Sequence, residues 1–276
     1  MTTIVASRTV DSKGEPVIVL GSDLQVSYTD EVVGDKARYY IDRKRFTRKI
    51  TGTPDKALIW AMTGALSRQY EVFCDEVSGK KTPLKSFNLV DELNKGRSFT
   101  IARLNAQAML EKEHLDPNKR FNLAIVYRTP TDLRMWYVTE TGKALRKQVI
   151  FAGSGKDDAI QAYRVLGQRA SRQGESPMQS TAWLVFQSLS YATRNDSASS
   201  GIDIVVIRKG GPDAGVDDIT SKPYELSQNV YIDSLSKAIE SLEPAKPKPA
   251  EAAPSSATPA SSPKNPASSP AQPAKS

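Results

Sequence analysis

The sequence predicts a mixed α+β fold of antiparallel sheets with helices packed outside them. Strand-like and helix-like segments come in blocks, without the strict alternation that a parallel sheet requires. Three β-rich segments follow one another in the middle of the chain, and two helical segments stand together after them. A four-layer αββα sandwich is one arrangement that accommodates this order, and the pattern alone does not single it out.

Two short strands are predicted near the start of the chain, at residues 3–7 and 17–21, with a turn at residues 11–14 between them. The segment 28–43 is predicted as a long loop. Residues 57–62 form another apolar run, which is typical of a buried strand.

The rest of the chain predicts helices and strands in groups. Residues 65–77 carry apolar side chains on one helical face, and residues 88–113 indicate a longer helical region broken at Gly96. The remaining predicted elements are an antiparallel meander (122–128, 134–139 and 148–152), two helices (157–171 and 177–193), a β-branched strand (202–208) and a last helix (225–242).

The segment 244–276 differs in composition from everything before it. It contains nine of the seventeen prolines, together with Ala, Ser and scattered Lys, and it has no aromatic residue. Such a segment buries too little apolar surface to offset the entropy of ordering it. We therefore expect a folded domain at residues 1–243 and a disordered tail at residues 244–276.

Composition excludes several classes of function. The net charge is +7, and a basic cluster between Arg38 and Lys49 has aromatic residues interleaved, but no nucleic-acid-binding motif accompanies it. We interpret the cluster as a solvated strand or loop and expect no nucleic-acid partner. The sequence contains no run of about twenty apolar residues, so it predicts no membrane span, and no secretory leader is visible.

Cysteine and histidine are each represented once. Cys74 excludes an intrachain disulfide, which suits a reducing, cytoplasmic location, and its apolar surroundings favour a packed core position. With His114 as the sole histidine there is no Cys/His cluster for zinc. The sequence predicts neither a metal site nor a cofactor.

A glycine-rich segment at residues 151–156 is not a nucleotide-binding loop. Ile150 stands where such a loop has its first glycine, and Asp157 follows the lysine where Ser or Thr is required. The segment predicts a strand, a tight turn and the start of a helix, with the hydroxyl of Ser154 at the turn.

Thr2 directly follows Met1, and an initiator Met before a small residue is normally removed. The mature chain would then carry a hydroxyl and a free α-amine on one residue, and the ordinary amine pKa of about 8 suits a base. This pairing activates the hydroxyl as a nucleophile. Many chains begin Met-Thr without any chemical role, so the remaining segments decide between the two readings.

Six segments, in order, resemble the β-type subunits of the proteasome and the bacterial peptidase HslV, which are N-terminal-nucleophile hydrolases. The resemblance covers roughly residues 2–210. The segments are Thr2-Thr3-Ile4-Val5, the strand 17–23 ending in Asp23, Arg48-Lys49-Ile50, the strand 58–64, Gly153-Ser154-Gly155, and Asp196-Ser197-Ala198-Ser199 followed by the strand 201–207.

The resemblance implies a four-layer αββα sandwich and a threonine-type peptidase. Thr2 would be the nucleophile, with its own amine as proton acceptor. Lys49 would lower the pKa of the hydroxyl, and Asp23 would hold Lys49 charged and oriented. Ser154, Asp196 and Ser199 would form the supporting shell of hydrogen bonds.

The resemblance also assigns the substrate-binding backbone. The donor to the oxyanion would be the N–H of Thr63, or of Gly64 if the alignment shifts by one residue. Ala61 would sit at the base of the first specificity pocket. Thr63 departs from the glycine of the family, and with the bulky neighbour Met62 it leaves activity and specificity open.

The partners implied are a peptide or unfolded protein substrate, other copies of the chain in a homo-oligomeric ring, and a ring ATPase that unfolds substrates. Two alternatives stay open. One is a related N-terminal-nucleophile enzyme that acts on a different amide or transfers an acyl group. The other is a non-catalytic scaffold that retains the fold.

Overall fold

The computed structural model describes residues 2–33, 38–46, 48–64, 68–79, 86–110, 120–168, 175–195, 201–210, 216–218 and 237–242. These residues form a mixed α+β fold with antiparallel sheets, which confirms the predicted α+β class. The strands are β1 (Thr3–Val10), β2 (Pro16–Asp23), β3 (Gln25–Val33), β4 (Arg38–Phe46), β5 (Ile50–Gly52), β6 (Leu58–Gly64), β7 (Phe121–Arg128), β8 (Leu133–Val138), β9 (Ala144–Arg146), β10 (Val149–Gly153), β11 (Ile202–Arg208) and β12 (Val216–Asp218).

The first sheet has five strands in the order β10-β1-β2-β11-β12, all antiparallel. The start of the chain thus lies inside a sheet, because β1 pairs with β10 on one side and with β2 on the other. Thr3 is opposite Gly153, and Ile4 is opposite Ser22.

The second sheet also has five strands, in the sequential order β5-β6-β7-β8-β9. Its strands β7 and β8 are the first two strands of the predicted meander. The third predicted strand, at residues 148–152, is β10, which pairs with β1 in the first sheet, so the prediction of a three-stranded meander is wrong. The short strand β9 takes the place beside β8. The continuous register from Leu58 opposite Tyr127 to Gly64 opposite Phe121 shows that β6 runs without a bulge to the edge where the candidate site lies.

The predicted loop at residues 28–43 is wrong. β3 and β4 form a two-stranded antiparallel sheet, with Gln25 opposite Phe46 and Val33 opposite Arg38. Charged residues interrupt the apolar pattern of these strands, so the periodicity that predicts strands elsewhere is missing here.

The helices are α1 (Arg68–Val77), α2 (Ser86–Asn94), α3 (Phe99–Leu110), α4 (Lys156–Gly167) and α5 (Pro177–Asn195). The predicted break near Gly96 is confirmed, since α2 ends at Asn94 and α3 begins at Phe99. Of the predicted last helix only residues 237–242 are described, and residues 237–240 are helical. The tail at residues 244–276 lies outside the described residues.

Three apolar cores account for the packing of these elements. One core joins the second sheet to helices α1, α2 and α3, and another joins the first sheet to α4 and α5. A third core lies between the two sheets and contains residues such as Ile4, Leu20 and Val126. This arrangement is compatible with a sandwich of two sheets with helices on their outer faces. Among the described helices, none combines the length and apolar character needed to cross a membrane.

Candidate functional site

Thr2 is buried where the first sheet meets the end of β6. Its side chain and backbone are only 3% exposed, and its carbonyl oxygen accepts a hydrogen bond of 2.9 Å from the backbone N–H of Ser154. Gly153 has a left-handed φ of +95°, and a Cβ there would lie 1.5 Å from the Thr2 carbonyl oxygen. Glycine at position 153 therefore lets the start of β1 approach the turn that precedes α4.

Asp23 connects the start of the chain to Lys49. The Thr3 backbone N–H donates to Asp23 Oδ1 at 2.7 Å, and Lys49 Nζ donates to Asp23 Oδ2 at 2.8 Å. The side chains of Asp23 and Lys49 are 0% and 2% exposed. The buried Asp23 carboxylate thus links the Lys49 ammonium to the backbone of Thr3, the residue that follows Thr2.

The local sequence explains why Asp23 reaches this position. The run Val17-Ile18-Val19-Leu20 is a buried β-branched strand, and its antiparallel register with β1 puts Ile4 opposite Ser22. Asp23, the last residue of β2, is therefore next to Thr3. Lys49 directly precedes β5, the first strand of the second sheet, so the cation and the carboxylate come from different sheets.

Two opposing effects act on the Asp23 carboxyl. Burial raises the pKa of Asp23 above its usual value, while the Lys49 ammonium and the Thr3 N–H favour the charged form. Both carboxyl oxygens accept hydrogen bonds, as an ionised carboxylate does. The buried site therefore depends on the pair, since either charge alone would be costly there.

Thr63 and Gly64 differ in the direction of their backbone N–H groups. In β6 the Leu58 carbonyl accepts from the Thr53 N–H on the β5 side, whereas the Ala57 carbonyl accepts from the Arg128 N–H on the β7 side. Backbone groups alternate along a strand, so the Thr63 N–H faces β7 and the Gly64 N–H faces the β5 side.

The end of β7 supports this assignment independently. The N–H and C=O of Phe121, opposite Gly64, both bind the side chain of Asn105 at 2.8 and 2.9 Å, so they point away from β6. Thr63 then shares a hydrogen-bonded pair with Asn122. Pairing of β6 with β5 ends at Ala61 opposite Ile50. The Thr63 N–H therefore faces the partner strand β7, whereas the Gly64 N–H faces the β5 side at a point past the last described pair of β5 and β6.

The Thr63 side chain faces the start of β1. Its Oγ1 would lie 3.1 Å from a Cβ on Gly153, on the same side as the Thr2 carbonyl. Thr63, which stands where the resemblance implies a glycine, thus contributes a hydroxyl beside Thr2. Ala61, one pleat further into the strand, is fully buried in the core between the sheets.

A second ion pair lies beside the first and was not predicted from the sequence. Arg48 Nε and Nη2 donate to Asp203 Oδ2 and Oδ1 at 3.0 and 2.6 Å, a two-pronged contact with a carboxylate that is 0% exposed. A signal was present, because Asp203 is the one acidic residue within the apolar run Ile202–Arg208. A carboxylate at that position requires a cationic partner.

The structure brings Thr2, Asp23, Lys49, Thr63 and Ser154 to one end of the two sheets. Ser154 is exposed at the turn before α4, and its backbone N–H makes the contact with Thr2. Asp196 and Ser199, predicted for the supporting shell, lie outside the described residues. Gly201, two residues after Ser199, is described, and a Cβ there would lie 2.9 Å from Cδ1 of Leu24, the neighbour of Asp23.

No protein-family model matches the chain, and no curated protein matches it. The resemblance drawn from the six segments therefore stays a prediction from the sequence.

Proposed function

We propose that the chain is a threonine-type peptidase of the N-terminal-nucleophile hydrolase class, with the corresponding αββα fold. The observation that carries the proposal is the Asp23 carboxylate, which binds the Lys49 ammonium with one oxygen and the Thr3 N–H with the other. A buried cation that shares a carboxylate with the residue after Thr2 is an arrangement that can support an N-terminal threonine nucleophile.

After removal of Met1, the Thr2 hydroxyl attacks the carbonyl carbon of a peptide bond and its proton passes to the Thr2 α-amine. The positive charge of Lys49 favours the developing alkoxide, and Asp23 keeps that charge in place. The direction of the Gly64 N–H supports its role as a donor to the oxyanion of the tetrahedral intermediate.

The intermediate collapses with transfer of the proton to the leaving amine, which leaves an ester between Thr2 and the acyl part of the substrate. Water then attacks this ester, with the amine again accepting the proton. Asp196 and Ser199 are proposed to complete the shell around the amine, together with Ser154. A homo-oligomeric ring, a cytoplasmic location and an ATPase that feeds unfolded substrate belong to the same proposal.

The test is reaction with a threonine-directed electrophile such as a peptide epoxyketone, followed by mass spectrometry of the intact chain and of its peptides. We expect loss of Met1 and a single adduct on Thr2. Thr2→Ala should remove both the adduct and the hydrolysis of peptide-amide reporters, whereas Thr9→Ala, a half-buried position near the far end of the same strand, should leave both unchanged.

Three outcomes would contradict the proposal. Retained Met1 with no adduct indicates a non-catalytic scaffold. A Thr2→Ala variant that cleaves reporters as well as the wild type shows that Thr2 is not the nucleophile. Products with the acyl group joined to a second amine, without hydrolysis, indicate an acyl transferase.

A further inference from the structure

Arg48 and Lys49 are consecutive residues, and each binds a carboxylate on a different strand of the first sheet. Lys49 binds Asp23 at the end of β2, and Arg48 binds Asp203 near the start of β11. The two strands are neighbours, with Asp203 opposite Ser22, so the two carboxylates belong to adjacent positions of one ladder. The segment that carries Lys49 is therefore fixed at two points.

The Arg48–Asp203 contact has the geometry of a positioning interaction. Two nitrogen atoms of a planar guanidinium meet both oxygens of one carboxylate, which fixes orientation as well as distance. Asp203 lies in a rigid strand, and alternation places it on the same face as Val205 and Ile207, which pack in the core between the sheets. Arg48, by contrast, is 36% exposed, so the fork ties a partly exposed side chain to a buried strand.

We propose that Arg48 and Asp203 are positioning residues that hold the Lys49 ammonium against Asp23 and hence beside Thr2. The Lys49 side chain has several rotatable bonds. Pairing of Ile50 with Ala61 holds the backbone that follows Lys49, and the fork between Arg48 and Asp203 holds the residue that precedes it. The catalytic consequence of this inference rests on the proposed function, whereas the effect on Lys49 does not.

A matched control is present at the opposite end of the same two strands. Lys209, directly after β11, binds Glu15, directly before β2, at 3.1 Å, and Glu15 is mostly exposed. Glu15→Gln removes an ion pair between the same strands without touching the site. Asp203→Asn removes the charge at nearly constant volume, and Arg48→Lys keeps the charge but loses the fork.

The first readout does not require activity. Acetic anhydride labels exposed lysine amines, and mass spectrometry reports the extent of labelling at Lys49. We expect several-fold more labelling of Lys49 in Asp203→Asn than in wild type or Glu15→Gln, with Arg48→Lys between them. Alkylation of Cys74, which lies in the other sheet's core, serves as an internal check that the fold is retained.

The second readout is the hydrolysis of a peptide-amide reporter as a function of pH. A misplaced Lys49 should lower kcat by about 10- to 100-fold with little change in KM, because the loss affects orientation at the reacting atoms. Loss of a nearby cation favours the protonated amine, so the acid limb of the profile should move to higher pH.

If Asp203→Asn does not fold, the double variant Arg48→Gln/Asp203→Asn takes its place, since it leaves neither charge without a partner. Equal Lys49 labelling in wild type and variant overturns the inference, whatever the activity. An inactive wild type that still shows the labelling difference supports the positioning of Lys49 and refutes the peptidase assignment.

Discussion

The Lys49 ammonium lies 2.8 Å from the Asp23 carboxylate, and both side chains are withdrawn from solvent. The two residues come from different sheets, so the pair joins the end of β2 to the segment before β5. A buried pair of this kind contributes little net stability compared with an apolar replacement, but breaking it leaves one charge without compensation.

Replacing Lys49 alone should therefore be strongly destabilising. We expect Lys49→Met to lower the free energy of unfolding by about 3–5 kcal/mol, because the buried Asp23 carboxylate loses its cation. The double variant Asp23→Asn/Lys49→Met should recover a large part of this loss. Urea unfolding followed by circular dichroism measures both values.

The control for this prediction is Lys209→Met, which removes an exposed ion pair and should change stability by less than about 1 kcal/mol. A Lys49→Met variant as stable as Lys209→Met would mean that the pair is not buried as described.

Gly153 should tolerate no side chain. Gly153→Ala places a methyl group against the Thr2 carbonyl in addition to forcing a left-handed backbone on alanine. Gly14→Ala is the matched comparison, because Gly14 has a similar φ of +82° and nothing within 4 Å of the added Cβ.

The backbone cost alone is about 1–2 kcal/mol at either position. Gly153→Ala should lose a further 1–3 kcal/mol or so through overpacking, and it should displace Thr2 from the Ser154 N–H. Thermal unfolding of the two variants measures the difference. Equal losses would show that β1 does not approach Gly153 so closely.

Amide exchange distinguishes Thr63 from Gly64. The Thr63 N–H lies in the ladder between β6 and β7 and should exchange slowly, whereas the Gly64 N–H should exchange faster. Exchange followed by NMR on labelled protein gives both rates. When an electrophile occupies Thr2, the Gly64 amide should become protected, since it then donates to the bound oxygen. A protected Gly64 and an unprotected Thr63 in the free protein would reverse our assignment of the oxyanion donor.

The single cysteine should titrate abnormally. Burial raises the pKa of the Cys74 thiol above its usual value, and the thiolate is the form that reacts with iodoacetamide. The pH midpoint of alkylation should therefore lie higher in the native protein than in the urea-unfolded chain, where it should be about 8.5.

The same shift has a defined sign for stability. The folded state binds the thiol proton more tightly, so the contribution of Cys74 is present below the ordinary pKa and is lost as pH rises through the raised value. Cys74→Ala should remove this part of the decrease at alkaline pH. Coincident alkylation midpoints for native and unfolded protein would contradict the burial of the thiol.

Sequence periodicity predicted the strands that are buried on both faces and the helices that have one apolar face. The β-branched run 17–21 and the run 202–208 are strands packed on both faces, and the helices around Phe73 and Phe186 present one apolar face to a sheet. The pair of strands β3 and β4 was missed because charged residues interrupt its apolar pattern. Strands β9 and β12 have only three residues each. Such short strands depend on their partners more than on their own composition.

The candidate site was predictable only in part, for a related reason. Asp23 and Lys49 could be named from the resemblance, but a solvated lysine and a buried one look the same in sequence. The contact between Arg48 and Asp203 joins residues 155 positions apart. The register of β2 and β11 places Asp203 next to Asp23, and this proximity cannot be derived from the sequence. The choice between Thr63 and Gly64 depended on which neighbouring strand each backbone N–H faces. A sequence predicts that these directions alternate, but not which residue faces which strand.

The position of β1 between β10 and β2 also has a consequence for the order of events during synthesis. Thr3 pairs with Gly153, so the first strand cannot complete its sheet until the ribosome has made about 150 further residues, which takes roughly 10–30 s. Under the proposed function, an aminopeptidase has this interval in which to remove Met1 from a nascent chain whose first strand is not yet paired.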